Sequence, residues 1–341
     1  MQRQFPALRG LATILVALNH AIVVGTVIPR DWGYPAVEGW AATLLTVLQA
    51  LGSAFAVPTF LFISGCFLAY AARPKLSYKV IGSGVRLILW PYLLWSLLFY
   101  FLVYVGRDER YSLWGYLKNL LVGYPFNFVP LILFFYLVAP VLVALGRRFG
   151  WLLLGAIGAY QLCLLNLIHP GILGLRFPVE LRVLVPPVLG GTLATWGVYF
   201  PAGMIFYLNA ARITPRLAPY KRWLALATLA VFALGFFPGF ELARYLAAIP
   251  LLGLCVLLTR AAIPGVRWLE AIGKGAYGVY LSNLSVIYAS LLLLRAVAPA
   301  LVGWWAALLP ILFALALLAP LGLLNAMGRS HARGAARYLF G

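Results

Sequence analysis

Apolar runs of about 20 residues recur from one end of this chain to the other, and each is long enough to cross a hydrocarbon core of about 30 Å as a helix. Short segments rich in Pro, Gly and basic residues separate them. A bilayer core offers no water to a backbone N–H or C=O, so a spanning segment of this length must bond internally, as an α-helix. Composition agrees: 64% of the residues are hydrophobic and only 10% are charged, which excludes a soluble globular domain. The fold class that follows is an all-α integral membrane protein, with one domain over residues 1–341.

The runs predict ten spans, at 8–28, 43–71, 86–105, 127–145, 150–168, 188–209, 222–238, 242–262, 275–295 and 303–326, bundled around a central cavity. An even number puts both termini on one side. With the termini cytoplasmic, the inner segments hold 18 of the 26 basic residues and the outer ones every acidic residue except Glu270. That asymmetry satisfies the positive-inside rule and predicts a multi-pass protein of the cytoplasmic (inner) membrane. It also reads the net charge of +19 as topology, with the lipid bilayer rather than nucleic acid as partner. The first run follows Arg3 and Arg9 as a secretory signal would, but no small-x-small cleavage site follows it, so it reads as a retained helix. Cys66, Cys163 and Cys255 fall inside apolar runs, and no metal site is expected from them.

The first span, PALRGLATILVALNHA, carries Arg9 and His20 eleven residues apart. Eleven steps of about 100° return to nearly the same helix face, and a rise of about 1.5 Å per residue separates the two groups by roughly 16 Å. Arg9 at the cytoplasmic end can hold a phosphate, and His20 is an ionisable group at membrane depth, where such groups are usually functional. This spacing suits a long donor with a charged head and a reactive tip. The structural alternatives are an orienting charge for Arg9 and a packed polar residue for His20. In the second span Ser64 is a candidate hydroxyl donor, whereas Gly65 reads as a packing residue.

Several stretches resemble the acyltransferase-3 family of membrane O-acyltransferases, which act on glycans and glycolipids. They are the Arg9-to-His20 spacing, VPTFLFISGCFLAY at 57–70, RLILWPYLLWS at 86–96, FVPLILFFYLVAPVL at 128–142 and LEAIGKGAYGVYLSN at 269–283. Two positions depart from the family pattern. Ala7 stands where an acidic residue often precedes the arginine, and Asn283 where a histidine often ends the late motif.

The resemblance implies transfer of an acyl group, most often acetyl, from cytoplasmic acyl-CoA to a hydroxyl of a sugar, glycolipid or polysaccharide acceptor on the outer side. His20 would be the general base, with Arg9, Ser64 and Asn283 as further candidate catalytic residues. Coenzyme A carries several phosphate charges, so Arg9, Arg73, Lys75, Lys79 and Arg86 are candidate donor-binding residues, Arg86 first because it opens a matching stretch. Glu38 and Glu180, in outer segments, are candidates for the acceptor side. The competing reading is an exporter or flippase of a glycolipid or small molecule without acyl-transfer chemistry. No carboxylate falls in the middle of a span, which weakens it.

Overall fold

A computed structural model of the chain describes residues 3–73, 76–329 and 333–341, and no strand occurs among them. The front half holds α1 (Phe5–Asp31), α2 (Gly39–Ala71), α3 (Tyr78–Arg107), α4 (Leu113–Val122), α5 (Phe128–Leu137) and α6 (Ala139–Ile168). The middle holds α7 (Gly190–Trp196), α8 (Tyr199–Leu208), α9 (Ala210–Leu217), α10 (Lys221–Leu234), α11 (Leu242–Leu246) and α12 (Ala248–Leu257). The last stretch holds α13 (Val266–Lys274), α14 (Ala276–Val297), α15 (Pro299–Gly303), α16 (Trp305–Arg329) and α17 (Arg333–Phe340).

Among the described residues, seven segments are long and apolar enough to cross a membrane: α1, α2, α3, α6, the stretch Ala210–Leu234, α14 and α16. The protein is therefore a multi-pass membrane protein. The expected spans at 188–209 and 242–262 are each divided between two shorter helices, and the one at 127–145 between α5 and the start of the long α6; the breaks have local causes. Pro140 opens α6 and cannot donate a backbone hydrogen bond, so α5 stops at Leu137. Gly150, at φ 25 and ψ −91, bends α6 between the spans expected at 127–145 and 150–168. Between α7 and α8 the freed backbone is met by one side chain. Gln161 accepts from the Val198 N–H at 2.6 Å and donates to the Thr195 carbonyl at 3.2 Å, as broken helices at membrane depth require. Pro58, by contrast, does not break α2. The Thr59 hydroxyl donates to the Phe55 carbonyl at 2.7 Å, next to the carbonyl that the proline leaves without a donor.

Helix α1 is the hub, packed against α2, α13, α14 and α16. Two glycine crossings bring neighbours close. A methyl group on Gly10 would overlap the Leu269 carbonyl of α13, and one on Gly65 would overlap the Phe200 carbonyl of α8. Gly65 is thus a packing residue, as its sequence context suggests. The loop after α1 is short, so α1 and α2 run antiparallel, and the two ends of the bundle can be named from α1. At the Arg9 end lie the end of α2, the start of α3, α13 and α17. At the Asp31 end lie the start of α2, the end of α3 and the end of α14.

Candidate active site

Arg9 lines a cavity of about 330 Å³ at its own end of the bundle. The cavity wall comes from α1, α2, α3, α5 and α14, through residues that include Phe60, Ser64, Phe67, Tyr136 and Tyr280. The Arg9 guanidinium lies 5.9 Å from the Phe67 ring centre and has no carboxylate partner among the described residues. An arginine half-buried without a counter-anion is costly unless an anion comes from outside. The Ser64 hydroxyl faces the same space and makes no hydrogen bond among the described residues.

His20 stands deeper on α1, beyond the far wall of this cavity. Its ring centre is 6.1 Å from that of Tyr280, and the Phe128 ring, tilted by 48°, lies 4.3 Å from the same tyrosine. His20 Nδ1 lies 2.8 Å from Asn283 Oδ1, a contact between residues 263 positions apart in sequence. An amide oxygen can only accept, so Nδ1–H donates and the proton sits on Nδ1. Nε2 therefore keeps its lone pair, which is the form a general base needs. Asn283 is fully buried, and its Nδ2 has no hydrogen-bond partner among the described residues. The packing of α1 on α14 thus brings together two of the four candidate catalytic residues, while Arg9 and Ser64 share the cavity nearer the bundle end.

A family model described as an acyltransferase domain matches residues 4–323. The chain belongs to the acyltransferase-3 family. No curated protein and no solved structure is significantly similar to it. Membership makes the protein a membrane acyltransferase, and the match runs from just before α1 to near the end of α16.

The remaining candidates of this acyltransferase are spread around the Arg9 end or away from it. Arg73 and Arg86 are exposed, and each guanidinium lies over a ring, Tyr207 at 4.9 Å and Tyr338 at 5.9 Å. Lys79 is exposed in the first turn of α3, where its N–H is capped by Ser77 Oγ at 3.2 Å. Lys75 lies outside the described residues. Glu38, just before α2, and Glu180, in a short turn at Val179–Leu184, are both exposed. Neither carboxylate lines the Arg9 cavity or forms an ion pair among the described residues.

Sequence reading alone missed three kinds of residue. Tyr136 and Tyr280 present side chains to the cavity, and neither hydroxyl has a partner among the described residues. Tyr280 lies in the late family-like stretch, which was the available signal. Tyr277 lines the cavity too, but its hydroxyl is already used, donating to the Ile88 carbonyl at 2.6 Å. Helix α17 folds back onto α3 and α14, where the Trp95 Nε1–H donates to the Leu339 carbonyl at 2.6 Å and Phe340 is buried. Nothing in the basic tail announced that docking.

Proposed function

We propose that this acyltransferase passes an acyl group, acetyl in the first instance, from acyl-CoA to a hydroxyl of a sugar, glycolipid or polysaccharide, with His20 as the general base. The donor enters at the Arg9 end, which faces the cytoplasm of a bacterial-type inner membrane, and the acceptor comes from the opposite side. The single observation that carries the reading is the Nδ1–H bond from His20 to Asn283 Oδ1, because it leaves Nε2 basic on a ring that neighbours Tyr280 of the cavity wall.

In this reading Nε2 takes the proton from the acceptor hydroxyl while that oxygen attacks the thioester carbonyl carbon. The tetrahedral oxyanion is met by a hydroxyl donor, for which Ser64 and Tyr280 are the free groups on the cavity wall. The carbon–sulfur bond then breaks, and the imidazolium returns its proton to the departing thiolate, giving an ester and free CoA. Arg9, and Arg86 nearer the mouth, meet the phosphates of the CoA head.

The test is a titration of the purified protein with acetyl-CoA, CoA and desulfo-CoA, read as thermal stability, alongside turnover. The expected result is stabilisation by acetyl-CoA that Arg86→Ala weakens, with His20→Ala still stabilised but inactive. No shift with any CoA species would overturn the donor assignment and favour transport without acyl chemistry.

A further inference from the structure

A second cavity, about 370 Å³, adjoins α2 nearer the Asp31 end. Its polar and aromatic lining includes Thr46, Gln49 and Ser53 of α2, Trp196 of α7, and Arg244 and Tyr245 of α11. Thr46, Gln49 and Ser53 recur at helical spacing along one face of an otherwise apolar helix. The hydroxyls of Thr46 and Ser53 donate to the carbonyls of Ala42 and Gln49 at 2.9 and 2.7 Å, which leaves their lone pairs for another donor. The Gln49 carboxamide has no hydrogen-bond partner among the described residues. A free amide inside a spanning helix is unfavourable unless water or a ligand meets it.

Arg244 forms no close ion pair among the described residues, although Glu241 feels its charge. Its Nε–H donates to the Gly235 carbonyl, and its guanidinium lies 5.1 Å from the Phe236 ring centre. Glu241, one turn earlier, turns its carboxylate to the Gly239 N–H at 3.1 Å. Only Nε–H of this guanidinium has a hydrogen-bond partner among the described residues, so its terminal N–H groups are left for an anion that can accept two bonds. Phe60, Ser64 and Phe67, which line the Arg9 cavity, follow Ser53 by seven, eleven and fourteen positions, so they return to the same face of α2. One helix face therefore carries both cavities in tandem.

We infer that this second cavity holds the acyl acceptor and that the acceptor is a sugar bearing a negative charge, a phosphate or a carboxylate. Trp196 and Tyr245 offer apolar ring faces to the C–H face of a pyranose, Gln49, Thr46 and Ser53 meet its hydroxyls, and Arg244 meets the anion. The inference rests on the acyl-transfer reading and adds the chemical class of its acceptor.

The experiment uses the full chain in lipid nanodiscs, which keep glycoside detergents out of the cavity. Four probes are titrated: polyprenyl-phosphate-linked glucose, a glucuronate-containing oligosaccharide, neutral glucosyl diacylglycerol, and phosphatidylglycerol as an anion without a sugar. At least one of the two anionic sugars is expected to bind about tenfold more tightly than either control, and whichever does so identifies the source of the charge. Arg244→Gln and Ser53→Phe should each weaken that binding about tenfold, the second by filling the cavity without touching the Arg244 anchor. Acetyl-CoA should still raise the melting temperature of both variants, which reports an intact fold. Failure of both anionic sugars to bind, equal binding by either control, or parent-like binding by both variants would overturn the proposal. Intact sugar binding with no response to acetyl-CoA in the unmutated chain would count instead against the acyl-CoA donor, so the two failures are distinguishable.

Discussion

The two ends of the bundle treat positive charge differently. At the Asp31 end, the cations that follow α3 are met by carboxylates: Arg107 bonds Asp31 at 2.8 Å and Glu109 at 3.1 Å, and Arg110 bonds Asp108 at 2.9 Å, while Arg295 and Arg244 lie over the rings of Trp32 and Phe236. At the Arg9 end, Arg9, Arg73 and Arg86 lie over the rings of Phe67, Tyr207 and Tyr338, and none has a carboxylate partner among the described residues. A paired cation has its charge answered within the fold and acts structurally. A cation held over a ring keeps most of its N–H donors for something else, and the phosphates of an acyl-CoA head fit that vacancy in chemistry. In the proposed function, donor binding belongs to the Arg9 end, and the Arg107 pairs belong to the structure of the other.

The largest effect should come from between the ends. His20→Ala is expected to lower acyl transfer by about 10²- to 10⁴-fold, the usual worth of a positioned general base, while the stabilisation by acetyl-CoA persists. Asn283→Ala should lower kcat by about 10- to 100-fold with little change in the KM for donor, since it loosens the imidazole without touching the phosphate site. Wild-type turnover by His20→Ala would remove the catalytic centre from α1 and leave the two ends without a reaction to divide.

Next in size are the cations at the Arg9 end. Arg9→Gln and Arg86→Ala should each raise the KM for acyl-CoA by about 10- to 100-fold, as expected for one charge-assisted hydrogen bond to phosphate. Arg107→Ala, at the other end, should leave that KM unchanged and cost about 1 kcal/mol of stability, because its pairs are partly exposed and screened by solvent. Equal effects on donor KM from Arg107 and Arg9 would erase the division.

Much of this division was legible in the sequence, and its limits have physical reasons. The long helices α1, α2, α3, α14 and α16 follow from apolar length, which is a local property. His20 was visible because an ionisable group in an apolar run is rare. Its bond to Asn283 was not, since nothing local specifies which polar group 263 residues away will face it. Likewise, the break at Gly197 depends on a distant glutamine, so apolar length alone merged α7 and α8 into a single span. Only the convergence of five helices gives Tyr136 and Tyr280 a shared space with Arg9.

The smallest expected effect tests the exception at the Arg9 end. Arg260 bonds Glu270 through two contacts, at 2.5 and 2.7 Å, so this cation is answered within the fold as those at the Asp31 end are. The hydrogen bonds from Arg260, with weaker attraction from Lys274 and Arg267, hold the Glu270 carboxyl below the usual carboxylate range. A lowered folded-state pKa means that the contribution to stability is fully present above the ordinary carboxylate value of about 4.3 and is lost as pH falls through the lower folded value. Because Arg260 is exposed and Glu270 is only partly buried, the effect should be a small drop in melting temperature as pH falls from about 5 to about 3, absent in Glu270→Gln, with no change in donor KM. If Glu270→Gln instead tightened acyl-CoA binding, Arg260 would be a donor cation masked by its partner, and the Arg9 end would have no structural pair at all.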